Sequence, residues 1–334
     1  MGIWVSFFAV VALVLIPLVG AQGAGQYIFG IVIPYLAVLI FVIGFIYRVV
    51  QWGKTPVPFK IPTTGGQMKS LPWIKWSPLD NPATTGGVIG RMALEVLAFR
   101  SLFRNTRVEL REGPRVSYGS NKWLWVAALA FHYAFLVVFL RHFRLFMEPV
   151  PGFVGLLESV DGFMEVALPR LMMSGVVLLL AALYLFLRRV AVPQLRYISL
   201  AADYFPLFLI IALAGSGILM RYFIRVDIAS VKELVVGLTS FSLLFNPTAL
   251  PKGIGVIFFV HLFLLSVLIA YFPFSKLMHA GGVFLSPTRN MPNDNRANRH
   301  INPWNYPVKV HTYEHYEDEF REKMKEVGLP VEKE

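Results

Sequence analysis

The chain contains no cysteine. That absence excludes disulfides, thiolate zinc sites, cysteine-ligated iron–sulfur clusters and a cysteine nucleophile, so any redox cofactor must be held by His, Met or carboxylate. Charge is scarce as well. Only 15% of the 334 residues are Asp, Glu, Lys or Arg, against 56% hydrophobic, where a soluble domain has about 25% charged and 45–50% apolar residues. With a mean hydropathy of +0.60, a chain this long cannot hide its apolar side chains in one aqueous core, and an ordinary soluble enzyme is excluded. The first 47 residues hold no Lys, Arg, Asp or Glu at all. The net charge of +11 fits basic loops beside a membrane, and no nucleic-acid partner is expected.

What is present is a set of long apolar runs. A spanning helix needs about 20 mostly apolar residues, and six stretches qualify: about 3–20, 27–47, 123–140, 171–187, 204–220 and 254–275. They predict an all-α integral membrane protein with six transmembrane helices in contact with membrane lipid. Gly20 to Gln26 splits the first two into a hairpin. The N-terminus lacks the basic start of a signal peptide, so the first helix is expected to be retained. Met1-Gly2 with Ser6 fits a loose myristoylation pattern, which adds nothing to a chain already anchored by helices. Placing the 2–3 loop, the 4–5 loop and the tail on one side gives that side 24 of the 31 Lys and Arg residues. Basic bias therefore predicts that both termini are cytoplasmic.

Four regions follow: an N-terminal transmembrane hairpin (1–50), a cytoplasmic loop (51–121), a four-helix core (122–285) and a cytoplasmic tail (286–334). Lys54 to Thr85 is rich in Pro, Gly and Trp and should be irregular. Val88 to Phe103 sets Ile89, Met92, Leu94, Val96, Leu97, Phe99 and Leu102 among Arg91, Arg100 and Arg104, the pattern of an amphipathic helix lying on the membrane or packed on a partner. The tail should begin as coil, Pro287 to Pro307, and end in a charged helix, Tyr313 to Val327.

Ionisable residues within a span are costly and point to function. The third span carries His132, with His142 at its outer rim; the sixth carries His261, with His279 at its inner rim. At ~100° per residue, a separation of 18 places His261 and His279 on one face, and a separation of ten sets His132 and His142 about 80° apart. The two helices run antiparallel, so His132 can meet His279 near the inner side and His142 can meet His261 near the outer side. Each pair could clamp a haem iron from opposite faces. The axial rise of ~15 Å for one pair and ~27 Å for the other requires a tilt or kink, and Pro273 is placed to supply one. A proton relay would want intramembrane Asp or Glu, which these two helices lack, and zinc would want more than two ligands.

The histidines resemble those of the NarI-like family, dihaem cytochrome b membrane subunits typified by the respiratory nitrate reductase gamma subunit. That family has His-x9-His on one helix and His-x17-His on its last span, as His132/His142 and His261/His279 have here. The resemblance covers about residues 120–285 and implies two haem b groups, with the outer one accepting electrons from a quinol and the inner one passing them to a cytoplasmic iron–sulfur subunit. The additional N-terminal helix, the long 2–3 loop and the tail look most like the DsrM (HmeC) branch, the cytochrome b of the DsrMKJOP complex. That likeness implies a prokaryotic cell membrane, menaquinol, a DsrK-like iron–sulfur partner with the other subunits of the complex, and sulfate or sulfite respiration. A heterodisulfide reductase or nitrate reductase type of complex remains the alternative.

Quinol oxidation needs a proton acceptor near the outer rim. Glu165 and Asp161 are the candidate acceptors, since desolvation at a membrane boundary suits a carboxyl to that task. Arg170 corresponds by position to a basic residue near the family's quinol site, with longer spacing from His142. Arg144, Arg221 and Arg225 on the outer side, and Lys122, Lys276 and Arg188 on the inner, are candidates for the haem propionates, although rim cations commonly snorkel. Gly215, Ser216 and Gly217 allow a close approach to the fifth span, by a haem edge or a neighbouring helix. Met220 and Met278 read as packing. His300, His311 and His315 lie in the tail, which reads as a grip for a partner. A haem-free membrane anchor and a transporter are the competing classes, though neither broken midplane helices nor related halves are evident.

Overall fold

The computed structural model describes residues 1–55, 60–61, 63, 65–113, 115–162, 171–298 and 311–333. Helix α1 spans Gly2–Gly20 and α2 spans Gly25–Lys54, with a π turn at Ile28–Val32. α3 (Thr85–Ala98) precedes an antiparallel hairpin, β1 (Thr106–Arg111) with β2 (Arg115–Ser120), in which Thr106 pairs with Ser120. Then follow α4 (Lys122–Arg141), α5 (Gly152–Asp161), α6 (Met173–Ala191), α7 (Ala201–Tyr222), α8 (Ile228–Thr239), α9 (Val256–Tyr271) and α10 (Tyr313–Glu326). Six segments, built on α1, α2, α4, α6, α7 and α9, are long and apolar enough to cross a membrane. The protein is a mostly helical multi-pass membrane bundle.

The spans pack in the order α4–α6–α7–α9–α2, with α1 seated against both α7 and α9. Val10, Ala134, Leu178, Leu209, Val260 and Leu264 meet in the bundle core. A second core, including Phe29, Ile31, Val231, Leu234 and Phe259, lets α8 cap the end where α9 begins. That end is termed outer, and the end carrying Gly2 and Ala201 inner. α1 approaches α7 there because Gly2 has no side chain: a Cβ would lie 2.9 Å from the Ala201 nitrogen. The Ser6 hydroxyl lies 2.9 Å from both the Gly2 and Ala201 carbonyl oxygens.

Two departures from the sequence reading matter, and one expectation is met. The amphipathic segment is not one helix to Phe103: α3 stops at Ala98, Phe99 takes a left-handed conformation (φ 49°, ψ 47°), and a single turn covers Arg100–Phe103. Residues 106–120, expected within an undifferentiated loop, form the hairpin. The kink expected at Pro273 is present: within the sixth span α9 ends at Tyr271, and two 3₁₀ turns, Phe272–Phe274 and Lys276–Met278, flank an extended Ser275. Pro273 cannot donate to the helix ladder, and the Ser275 hydroxyl stabilises the break by donating to Phe272 O and accepting from Leu277 N. His279 therefore starts a separate short helix, His279–Leu285, and its position follows from that break instead of from five uninterrupted turns.

On the inner side, loop and tail are knit by buried polar groups. Arg91, 2% exposed, donates to the carbonyls of Asp80, Arg289 and Met291. Asn81 bonds Asn293 and the carbonyls of Gly65 and Gly66. Asp80 pairs with Arg100 at 2.6 Å and with Arg104. Thus α3 turns its arginine inward and leaves Ile89 and Leu97 exposed.

Candidate functional site

The four intramembrane-type histidines meet in two pairs. At the inner end the rings of His132 and His279 lie 6.0 Å apart, centroid to centroid, with planes at 85°. Toward the outer end those of His142 and His261 lie 6.5 Å apart with planes at 10°. His132 projects from mid-α4, His142 caps its C-terminus, His261 sits on the second turn of α9 and His279 opens the short helix beyond the break.

Every imidazole has its Nδ1 engaged. His132 donates to Ala128 O at 2.7 Å, His142 to Val138 O at 2.7 Å and His279 to Lys276 O at 2.8 Å. A carbonyl only accepts, so Nδ1 carries the proton and Nε2 keeps its lone pair. His261 uses a side chain instead. Its Nδ1 lies 2.9 Å from the Ser216 hydroxyl, which itself donates to Leu213 O at 2.9 Å and so accepts from the ring. A neighbouring acceptor that sets the tautomer and orientation is the usual companion of a metal-ligating histidine.

The spacing suits a metal between the rings. Metal–nitrogen bonds of about 2 Å on each side, with about 1.1 Å from nitrogen to ring centre, put two centroids about 6 Å apart. The two separations are thus compatible with one metal ion held by each histidine pair. Gly217 borders this site: a Cβ there would lie 3.4 Å from the His261 ring, an ordinary van der Waals contact. Met278 is buried beside His279, in keeping with packing.

The outer rim is built from ion pairs. Arg141, adjacent to His142, bonds Asp161 at 2.7 Å, and Asp161 also accepts from the Ser174 N–H and hydroxyl at 2.7 and 2.6 Å. Both oxygens of Asp161 are thereby committed to tying α4, α5 and α6 together. Arg144 pairs with Glu158 at 2.6 Å. Arg221 lies over Tyr222, and Arg225 is exposed. At the inner rim Lys276 pairs with Asp203 at 2.6 Å, and Lys122 lies over the Phe103 ring. Arg188 is half-buried near the end of α6. Glu165, Arg170 and His300 lie outside the described residues. His311 stands 3.9 Å from Glu319, and His315 lies on α10.

One neighbour of the inner pair had no role in the sequence reading: Phe99, whose ring meets His132 edge-on at 4.9 Å. A bulky residue at the end of an amphipathic run reads as packing, and only the left-handed backbone and the contact distinguish it. Ser216 was visible as part of a small-residue cluster, but its bond to His261 joins residues 45 apart.

Comparison with known proteins shows the family. Residues 92–291 match the nitrate reductase gamma subunit family, a segment that contains all four histidines. The chain is 50% identical over 280 residues, 83% of either chain, to a protein of Archaeoglobus fulgidus described as an Hdr-like menaquinol oxidoreductase cytochrome b-like subunit. It is 43% identical over 276 residues, 81% of either chain, to the protein of the same description from Archaeoglobus profundus. With the family match covering more than half its length, the chain belongs to the nitrate reductase gamma subunit family.

Proposed function

We propose that this protein is a dihaem cytochrome b subunit that transfers electrons between menaquinol at the outer side of a prokaryotic cell membrane and a cytoplasmic iron–sulfur subunit at the inner side. The observation that carries this reading is the meeting of the imidazoles in two couples, His132 with His279 and His142 with His261, with centroid separations of 6.0 and 6.5 Å and the Nδ1 of each of the four engaged. The names of the two Archaeoglobus relatives support both the cytochrome and the quinol. Haem b held there supplies reversible one-electron chemistry at two levels of the bilayer.

The chain's own residues do the rest. Three backbone carbonyls and the Ser216 hydroxyl hold the imidazoles in the Nε2-basic tautomer. Arg141, Asp161 and Ser174 fix the end of α4 that carries His142. Glu165 is the proposed acceptor for quinol protons and Arg170 the proposed cation beside the quinol. Asp161 can join them only by releasing Arg141. Arg144, Arg221, Arg225, Lys122 and Lys276 are the proposed partners of the propionates; Arg144 and Lys276 would exchange their present carboxylates to serve. Basic bias places both termini in the cytoplasm, where the 60–104 loop and the tail offer a docking surface for an iron–sulfur subunit of DsrK or heterodisulfide reductase type. A DsrMKJOP-like complex in sulfate or sulfite respiration is the assembly this favours.

Visible spectroscopy tests the reading. Dithionite-reduced protein should show b-type α and Soret bands, and pyridine haemochrome should return two haems per chain. His132→Ala or His279→Ala should remove one haem, and His142→Ala or His261→Ala the other. Absence of the bands overturns the cytochrome, and loss of the same haem from His132→Ala and His142→Ala overturns the pairing. Mild solubilisation should co-purify an iron–sulfur subunit; a haem-loaded chain isolated without one argues against the partner.

A further inference from the structure

The α3–α4 junction is held under backbone strain. Phe99 is one of two non-glycine residues with positive φ among the described residues. Its left-handed conformation at the end of a helix is the place where glycine is usual, because a Cβ is penalised there. A bulky aromatic persists in such a position only when its surroundings over-determine it, and strain of this kind gathers at functional sites. Here the surroundings are unusually specific. The carbonyl of Leu97 accepts from the Tyr133 hydroxyl at 2.9 Å, and that of Ala98 accepts from the Trp125 indole N–H at 2.7 Å. Both donors belong to α4, the helix that bears His132. On the other side Arg100 is tied to Asp80 at 2.6 Å. Pinned before and after, Phe99 places its ring edge-on against the His132 imidazole, 4.9 Å between centroids and 86° between planes. Phe131 flanks the same imidazole at 5.2 Å, but it does so as a neighbour on α4. Phe99 comes from a separate element and needs a strained backbone to reach.

We propose that Phe99 is a positioning residue for the inner imidazole pair: its ring, edge-on against the imidazole, fixes the plane of His132. The proposal rests on the dihaem reading above. A ligand plane held by packing tunes a haem. Loss of the ring should let the imidazole rotate, which changes its bonding to the metal and shifts the inner potential.

The test compares Phe99→Gly with Phe99→Tyr in full-length, haem-loaded protein. Glycine removes the ring while relaxing the backbone, so failure to fold is not the expected confounder; tyrosine keeps the ring. Redox titration and low-temperature EPR of the oxidised protein are the readouts, with the inner signal identified as the one absent from His132→Ala. Phe99→Gly should shift the inner low-spin g-values and the inner midpoint potential and leave the outer signal in place, while Phe99→Tyr should keep the wild-type inner signal. An unchanged inner signal overturns the proposal. So does an equal shift of both haems, which would mark a role in the fold at large. Haem-free wild-type protein would instead overturn the dihaem reading, a separate result.

Discussion

Replacing Ser216 by alanine removes one hydroxyl from α7, and its consequence can be worked from the geometry. The hydroxyl donates to Leu213 O and accepts from His261 Nδ1, each at 2.9 Å. Ser216 is 6% exposed, so water does not readily replace it. Leaving a buried N–H without its acceptor costs about 1–3 kcal/mol, or about 5- to 150-fold in an equilibrium constant. Loss of an acceptor behind a ligating histidine typically costs about 10- to 100-fold in metal affinity, and the two estimates overlap. Ser216→Ala should therefore weaken retention of the outer haem by about 10- to 100-fold and leave the inner haem in place. Haem transfer to excess apomyoglobin, followed in the Soret region, measures both losses separately. The other three imidazoles lean on main-chain carbonyls, so this is the position where a side-chain substitution probes tautomer control directly. Equal retention of both haems in wild type and variant would refute the reasoning, as would selective loss of the inner one.

Other expectations concern the ties around the site. Asp161→Ala leaves Arg141 buried without its carboxylate, a loss of about 3–5 kcal/mol, read as earlier thermal unfolding of solubilised protein; an unchanged melting profile would contradict the network. Arg91→Met keeps an apolar stem but deserts three carbonyls and should cost about 3 kcal/mol locally. Limited proteolysis should then release the segment after residue 285 while haem content stays at its wild-type value. Acid should act on Asp80. Burial pushes its carboxyl up, but hydrogen bonds from Arg100, Ser77 and Arg104 outweigh burial and hold it well below the usual carboxylate range. A group depressed in the fold contributes stability that is fully present above its unfolded value of about 3.9 and is lost as pH falls toward the folded value. Hydrogen exchange of residues 65–104, corrected for intrinsic rates, should stay slow down to about pH 4.5 and quicken below about pH 4; opening near pH 6 would count against this assignment.

The spans and the four histidines were legible because both signals are local. Hydropathy summed over some 20 residues needs no knowledge of neighbours, and an imidazole inside such a run stands out against its cost. Pairing followed from antiparallel direction alone. The hairpin was legible but passed over: Val108 and Leu110 alternate with Arg107, Glu109 and Arg111 before Gly113, whose φ of 74° makes the turn. At His279 the mismatch in axial rise called for a kink and Pro273 was placed to supply it; the structure breaks the helix there, so five unbroken turns do not set the position of His279. Arg91 was read on the polar face of an amphipathic helix; which face would be buried depended on carbonyls about 200 residues away.

By itself, then, the sequence determined that this chain belongs in a membrane, which six of its segments are long and apolar enough to cross one, and which imidazoles could meet in pairs. Tertiary structure alone decided which atom stands behind each imidazole, that Asp161 spends its oxygens on Arg141 and Ser174, and that Phe99 reaches His132. The division has a physical cause. Insertion into lipid is a sum over one segment, whereas tautomer, ring plane and ion pairing depend on contacts of a few ångströms between segments that only folding brings together.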